Sequence, residues 1–423
     1  MPNYFKSAIK LTIILVLLWS GSSQAQKPAD DSKNLSVVTS VTDWFKTAKL
    51  PDNLQIQGFA SQAFISTSDN DVFGNSDKGG SFGFTEAGLN ALLRPLPRLQ
   101  LSAQVLSRRA GEGNSGSPRL DFGFADYRLY SHETNQFGIR VGRLKNPFGF
   151  YNDTRDVAFT RPSILLPQSI YFDRTRNLGL SADAVHLYGE TSHSNLGSVS
   201  VQFGVIKPIV DDKDTKASVI GLGRAGDLTS KVSYVGRGIY ESPDNRLRLA
   251  VSGMWFNVGY DPATRNDPLG PGSIQFSPLY LSAQYNAERW SLTSEYALRH
   301  FKFKNFNDQR FDDLNFFGES FYFQGAYRFT PKWEGILRYD VLFTDRKDRD
   351  GSRFATASGA PAHRRFAKDI TAGLRWNVTP AFMLRTEYHR VNGTAWLSTL
   401  DNPNPADTSQ HWDLFAVQAS YRF

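Results

Sequence analysis

The stretch Trp333-Glu-Gly-Ile-Leu-Arg-Tyr-Asp-Val-Leu-Phe343 decides how this chain is read. Leu337, Tyr339, Val341 and Phe343 fall on one parity, and Glu334, Arg338 and Asp340 on the other. Side chains on a strand point to alternate faces, so the segment is a strand with one apolar and one polar face. The same zigzag runs through Arg246-Leu-Arg-Leu-Ala-Val-Ser-Gly-Met-Trp-Phe256 and Asp413-Leu-Phe-Ala-Val-Gln-Ala-Ser-Tyr-Arg-Phe423. These strands are longer than the roughly 5–6 residues usual in soluble proteins. They match the roughly 9–11 residues that a tilted strand needs to cross a bilayer.

Working outward, sixteen such segments are predicted: 54–65, 82–93, 99–108, 120–132, 137–145, 178–190, 196–206, 229–241, 246–257, 274–286, 290–301, 317–329, 333–344, 366–378, 381–392 and 412–423. Short turns alternate with long polar loops, the longest being 146–177 with 32 residues. Aromatics mark strand ends: Phe122 and Tyr130, Trp290 and Phe301, Phe317 and Phe329, Trp333 and Phe343, Trp412 and Phe423. Girdles at both membrane interfaces require that placement. An open sheet edge is not tolerated in hydrocarbon, so the strands must close. The predicted fold is all-β: a sixteen-stranded antiparallel transmembrane β-barrel over 54–423, with short periplasmic turns and long extracellular loops.

Residues 1–25 read as a cleaved secretory signal peptide. Lys6 and Lys10 precede the apolar run Leu11-Thr-Ile-Ile-Leu-Val-Leu-Leu-Trp19, and Ser23 and Ala25 supply the small residues of a cleavage site. The run is too short to span a bilayer as a helix. Residues 26–53 then form a periplasmic N-terminal segment, with a short helix expected over Val37 to Leu50. Export and a membrane barrel together imply the outer membrane of a Gram-negative bacterium, with lipid and lipopolysaccharide as the surroundings.

The chain has no Cys, which excludes disulfides, thiolate metal sites and thiol catalysis. Its seven His form no compact metal-binding spacing, and no Gly-x-Ser-x-Gly elbow is present. No cofactor, metal or enzymatic activity is expected. The basic residues lie dispersed at strand period rather than in a patch, so nucleic acid is not an expected partner.

A net charge of +7 accompanies 48 Lys+Arg and 41 Asp+Glu. Segment 143–177 carries Arg143, Lys145, Arg155, Arg161, Arg174 and Arg176 against Asp153, Asp156 and Asp173. Its many large apolar residues favour burial against the inner wall. Strand parity also turns Arg140, Arg246, Arg248, Arg338 and Arg385 inward, together with Glu86, Asp126, Glu295, Asp340, Asp369 and Glu387. Two readings follow for these cations. They line an anion-favouring constriction, or they pair with the acids and hold the wall and loop in shape.

At the exit of the fifth strand stands Gly142-Arg-Leu-Lys-Asn-Pro-Phe-Gly-Phe150. With the alternating strands and the terminal Tyr421-Arg422-Phe423, the chain resembles the phosphate-selective porin O/P type and the related dicarboxylate porins. That resemblance implies a homotrimer with three pores and passive diffusion of small hydrophilic, preferentially anionic solutes, phosphate or carboxylates among them. It also implies that 146–177 folds into the lumen as a constriction loop, and that Phe423 is read by the outer-membrane barrel assembly machinery. A full ladder of pore arginines does not align, so phosphate specificity does not follow. The competing expectations are a sugar-specific channel, with Phe148, Phe150 and Tyr151 beginning an aromatic slide, and a non-conducting barrel acting as an enzyme or adhesin.

Overall fold

A computed structural model describes residues 51–423 apart from 309 and 312. The signal segment, the expected helix and most of segment 26–53 lie outside the described residues. Among the described residues, no helix is long and apolar enough to cross a membrane.

Sixteen antiparallel strands form one closed barrel: β1 Leu54–Thr67, β2 Ser81–Leu96, β3 Leu99–Ala110, β4 Arg119–Ser131, β5 Asn135–Lys145, β6 Ser181–His193, β7 Gly197–Pro208, β8 Asp227–Ser230 continued by Ser233–Glu241, β9 Leu247–Asp261, β10 Gly272–Asn286, β11 Trp290–Lys304, β12 Asn315–Arg328, β13 Trp333–Phe343, β14 Phe366–Asn377, β15 Phe382–Gly393 and β16 His411–Arg422. Each strand pairs with its neighbours in sequence, and β16 pairs with β1 to close the ring. The seam is extended by the Gly58 and Phe423 backbones, which exchange hydrogen bonds of 3.1 and 3.0 Å. Closure leaves no open edge, which is what hydrocarbon demands.

The predicted order, number and connections all hold. Most boundaries shift by one to four residues, chiefly because strands run further into the long loops, and two departures have local reasons. Residues Arg176–Leu180 turn helical (α1), so β6 starts at Ser181 rather than 178. The strand β8 breaks at 231–232, where the Ser233 hydroxyl bonds back to the Lys231 carbonyl.

Period two sorts the two faces. Outward-facing Val251, Leu281, Leu337 and Ile370 are exposed, while inward-facing Glu86, Glu295, Arg338 and Asp369 are buried. Apolar outside and polar inside inverts a soluble protein and fits a lipid-facing wall. At the short-turn end, Tyr130, Trp290 and Phe329 are exposed, as a girdle requires. At the opposite end the expected girdle fails for three residues, the first being Phe122, which lies opposite buried Gln104 and on the inward parity of Asp126. Phe301 shares the inward parity of Glu295, and Trp412 is fully buried, its indole donating to the Gly393 carbonyl at 3.1 Å. The strands β11 and β15 run past Phe301 and Trp412, so neither ring marks the membrane interface.

Two further helices lie in the long loops: α2 at Lys213–Ile220 and α3 at Ser352–Ser358. The Asp212 side chain caps α2 by accepting from the Thr215 backbone N–H at 2.9 Å.

Candidate constriction and vestibule

The loop between β5 and β6 folds into the lumen. Its Ile164, Leu165, Leu166, Ile170 and Tyr171 are buried. The chain turns at Gly149, whose φ is 55° and whose added Cβ would lie 2.2 Å from the Tyr171 hydroxyl. Only glycine fits both the backbone and the space there.

The inner wall grips this loop around most of its circumference. From β2, Glu86 accepts from Arg161 at 2.8 Å and from Arg108 on β3 at 3.2 Å. Arg108 also reaches Asp173 at 2.7 Å. On β8, Arg237 donates to the Gly149 carbonyl and pairs with Asp153 at 2.7 Å. Glu295 on β11 accepts from the Phe150 N–H and from the Tyr171 and Tyr322 hydroxyls. The Ser169 N–H bonds Asp340 on β13. Glu387 on β15 takes the N–H groups of Ile164 and Leu165.

This geometry decides between the two readings for most of the predicted cations. Arg155 is 2% exposed and donates to the Tyr171 and Phe172 carbonyls. Arg161 is spent on Glu86. Arg176 and Lys145 both pair with Asp156. Burial alone would raise the Asp156 carboxyl, but Lys145, Arg176 and Arg155 hold it well below the usual carboxylate range. Arg338 donates to Ser163 and to the Leu165 carbonyl. Arg385 donates to the carbonyls of Ala158, Arg161 and Ser163. The expectation that these six meet solute is therefore corrected: burying a charge without partners is costly, and these charges position the loop.

The remaining predicted residues differ again. Arg143 lies on the outer-face parity of Phe137 and Val141, not in the pore. It forms a two-point pair with Asp183 at 2.9 and 3.2 Å. Gly142, at φ 133°, marks the irregular backbone beside it. Arg246 is exposed at a short turn beside Asp244. Arg140 faces inward and pairs with Asp126 at 2.8 Å, under the Tyr188 ring. Arg248 pairs with Glu241 at 3.0 Å and covers Phe150. Phe148 stacks on Tyr280, with centroids 5.0 Å apart. Phe148 and Phe150 are thus packing residues, and no slide starts from them.

Arg174 is the exception. It lines a cavity of about 890 Å³ on the long-loop side, together with Arg299, Arg364 and Arg365. Arg299 shares the inward parity of Glu295 on β11, but Arg364 and Arg365 sit in a loop where no period applies. Burial first, and then repulsion from Arg365 and Arg364, pushes the Arg174 guanidinium down to about 10.

Above this cavity the outer loops tie together. The Asn402 side chain exchanges hydrogen bonds with the Asp71 backbone at 3.0 and 2.8 Å. Asp401 accepts from the Glu112 N–H at 2.9 Å. Asp214 accepts from the Ser398 hydroxyl at 3.0 Å.

No family model matches the sequence, and no curated protein matches it. Solved structures share the fold. The outer membrane channel DcaP of Acinetobacter baumannii aligns with a TM-score of 0.55 at 10% identity, covering 88% of this chain and 97% of that one. An anion-selective porin from Comamonas acidovorans gives 0.54 at 11% identity, covering 88% and 99%. The trimer form of OmpT, an outer membrane protein of Vibrio cholerae, gives 0.54 at 10% identity, covering 88% and 99%. The chain therefore has the fold of outer-membrane porins.

Proposed function

We propose that this chain is an outer-membrane porin giving passive diffusion to small hydrophilic solutes, with a preference for anions. The observation that carries the reading is the closed barrel with an apolar exterior, a polar interior and a long loop folded across its lumen. Anion preference draws its support from Arg174, Arg299, Arg364 and Arg365. These four line the vestibule without an acidic partner among the described residues. Their field concentrates anions at the mouth and needs no chemistry. Phosphate and carboxylates are both candidates, and the resemblance to phosphate-selective and dicarboxylate porins supports them equally. We further propose a homotrimer in lipid and lipopolysaccharide, assembled by the outer-membrane barrel machinery. The trimer form of one similar structure supports the oligomer.

A second reading has its own observation. The loop touches the wall from β2 round to β15, which would suit a barrel that does not conduct. Reconstitution in planar bilayers under a salt gradient separates the two. The porin reading expects stepwise conductance and a reversal potential of anionic sign. A cationic sign removes the anion preference, and silence of correctly folded protein removes the pore.

A further inference from the structure

The long-loop end of the lumen carries a wall that a water-filled barrel does not require. Phe256, Phe276, Phe301 and Phe316 lie directly opposite one another on β9, β10, β11 and β12. Their ring centroids are 6.1, 4.7 and 5.0 Å apart along the row. All four rings line the vestibule cavity. A second row, Val258, Ile274 and Phe303, runs beside it on the same face. Phe256 and the second row are packed beneath the loops, whereas Phe276, Phe301 and Phe316 stay half-buried. Barrel interiors are ordinarily polar, so a partly bare apolar patch there suits an apolar occupant.

The same cavity is lined by four arginines. Arg174 and Arg299 stack against Phe172 at 5.7 and 4.9 Å, and Arg365 stacks against Phe354 at 4.8 Å. Rings orient a guanidinium without neutralising it, unlike the carboxylates that consume the deeper arginines. None of Arg174, Arg299, Arg364 and Arg365 forms an ion pair among the described residues. Arg299 makes one side-chain hydrogen bond, to the Phe343 carbonyl at 3.3 Å. The Nε atoms of Arg174, Arg299 and Arg365 are buried without a partner, as are the Thr215 and Thr399 hydroxyls on the same cavity. What sets these four arginines apart is guanidinium charge without a carboxylate partner, and that is where a ligand's carboxylate belongs. Asp345 also lines the cavity, and Arg310 at its rim is occupied by Asp308 at 2.6 Å.

We propose that the vestibule is a binding site for an organic anion with an apolar, ring-sized body, its carboxylate on the arginines and its body along the phenylalanine row. The site rests on the pore reading for the solute's route through the barrel. Inorganic phosphate fits the arginines but leaves the apolar wall against a hydrated ion. A sugar brings no charge to offset the four guanidiniums gathered here. An amphipathic anion uses both walls at once. The volume lies within the range of small-molecule sites.

The test is calorimetric titration of the full-length detergent-solubilised protein with benzoate, acetate, benzyl alcohol, inorganic phosphate and maltose. Benzoate is expected to bind at least about tenfold more tightly than each of the others. The loop variant R364Q/R365Q should lose about tenfold for benzoate. The wall variant Phe301→Asn should weaken benzoate and leave acetate unchanged. Should the wall variant fail to fold, the loop variant still decides, because its positions lie outside every strand. Equal affinity for acetate, for benzyl alcohol, or tighter binding of phosphate or maltose overturns the proposal. Bilayer recordings on the same preparation keep the two readings apart. Anion-preferring conductance without benzoate discrimination overturns the site and leaves the pore. Tight benzoate binding by a silent barrel upholds the site and overturns the pore.

Discussion

The Tyr171 hydroxyl donates to the Glu295 carboxylate at 2.7 Å and so joins the in-folded loop to β11. The same hydroxyl accepts the N–H groups of Phe150 and Tyr151. Removing it strands the Tyr151 N–H, while the Phe150 N–H keeps Glu295 and Glu295 keeps the Tyr322 and Ser282 hydroxyls. Tyr171→Phe should therefore destabilise the loop by about 1–3 kcal/mol, the cost of an unmet buried group. Single-channel recordings should show added low-frequency noise as the loop loosens. Recordings indistinguishable from the native channel would detach this bond from loop position.

Glu86 neutralises Arg161 and Arg108 together, with Arg176 at 3.7 Å. Glu86→Gln leaves buried guanidinium charge without its counter-ion. The expected loss is about 3–5 kcal/mol, read as an earlier urea midpoint in detergent. A shift below about 1 kcal/mol would mean that the cluster behaves like a surface pair.

Neutralising Arg174, Arg364 and Arg365 together should lower the anion-to-cation permeability ratio, by roughly twofold to tenfold. Arg155→Gln should instead lower stability and leave the ratio alone, since Arg155 serves backbone carbonyls. The reverse pattern in reversal potentials would move the selective section down to the buried loop.

Leu281 faces outward near the middle of β10 and is 49% exposed. If hydrocarbon covers it, Leu281→Arg costs about 2–4 kcal/mol in bilayer refolding titrations. A water-facing position would tolerate the change within about 0.5 kcal/mol.

Burial pushes the Asp214 carboxyl up to about 7, with Asp212 and Asp401 adding repulsion and Arg108 opposing it. Burial likewise raises Asp401 and Asp71, which meet the same loop junction. The packed junction thus favours the protonated acids over the open loops. Its extra stability is complete below the ordinary carboxylate value of about 4 and is lost as pH rises through 7. Hydrogen exchange of segments 111–118, 213–220 and 394–410 should show more protection at pH 5 than at pH 8. Asp214→Asn should flatten that difference. Protection that grows with pH would contradict the sign.

The barrel was legible because one local rule, period two over strand-length runs, repeats sixteen times and needs no partner to be seen. The fate of each arginine was not. Arg161 meets Glu86 from 75 residues away, and Arg385 meets the Arg161 carbonyl from 224 residues away. Whether a guanidinium is consumed depends on those distant neighbours. The phenylalanine row was within reach: Phe301 shares the parity of Glu295, which the alternation already turned inward. Its position near a strand end made it look like a girdle residue instead. Arg364 and Arg365 carried no periodic signal at all.

Joining β1 to β16 has a consequence for how the chain comes to exist. The first strand's partner is the last strand of the barrel in sequence, so every partial barrel shows two unpaired margins. Adding strands in sequence order leaves the sheet open until β16 meets β1. The ring locks in one late event, when strands far apart in sequence meet.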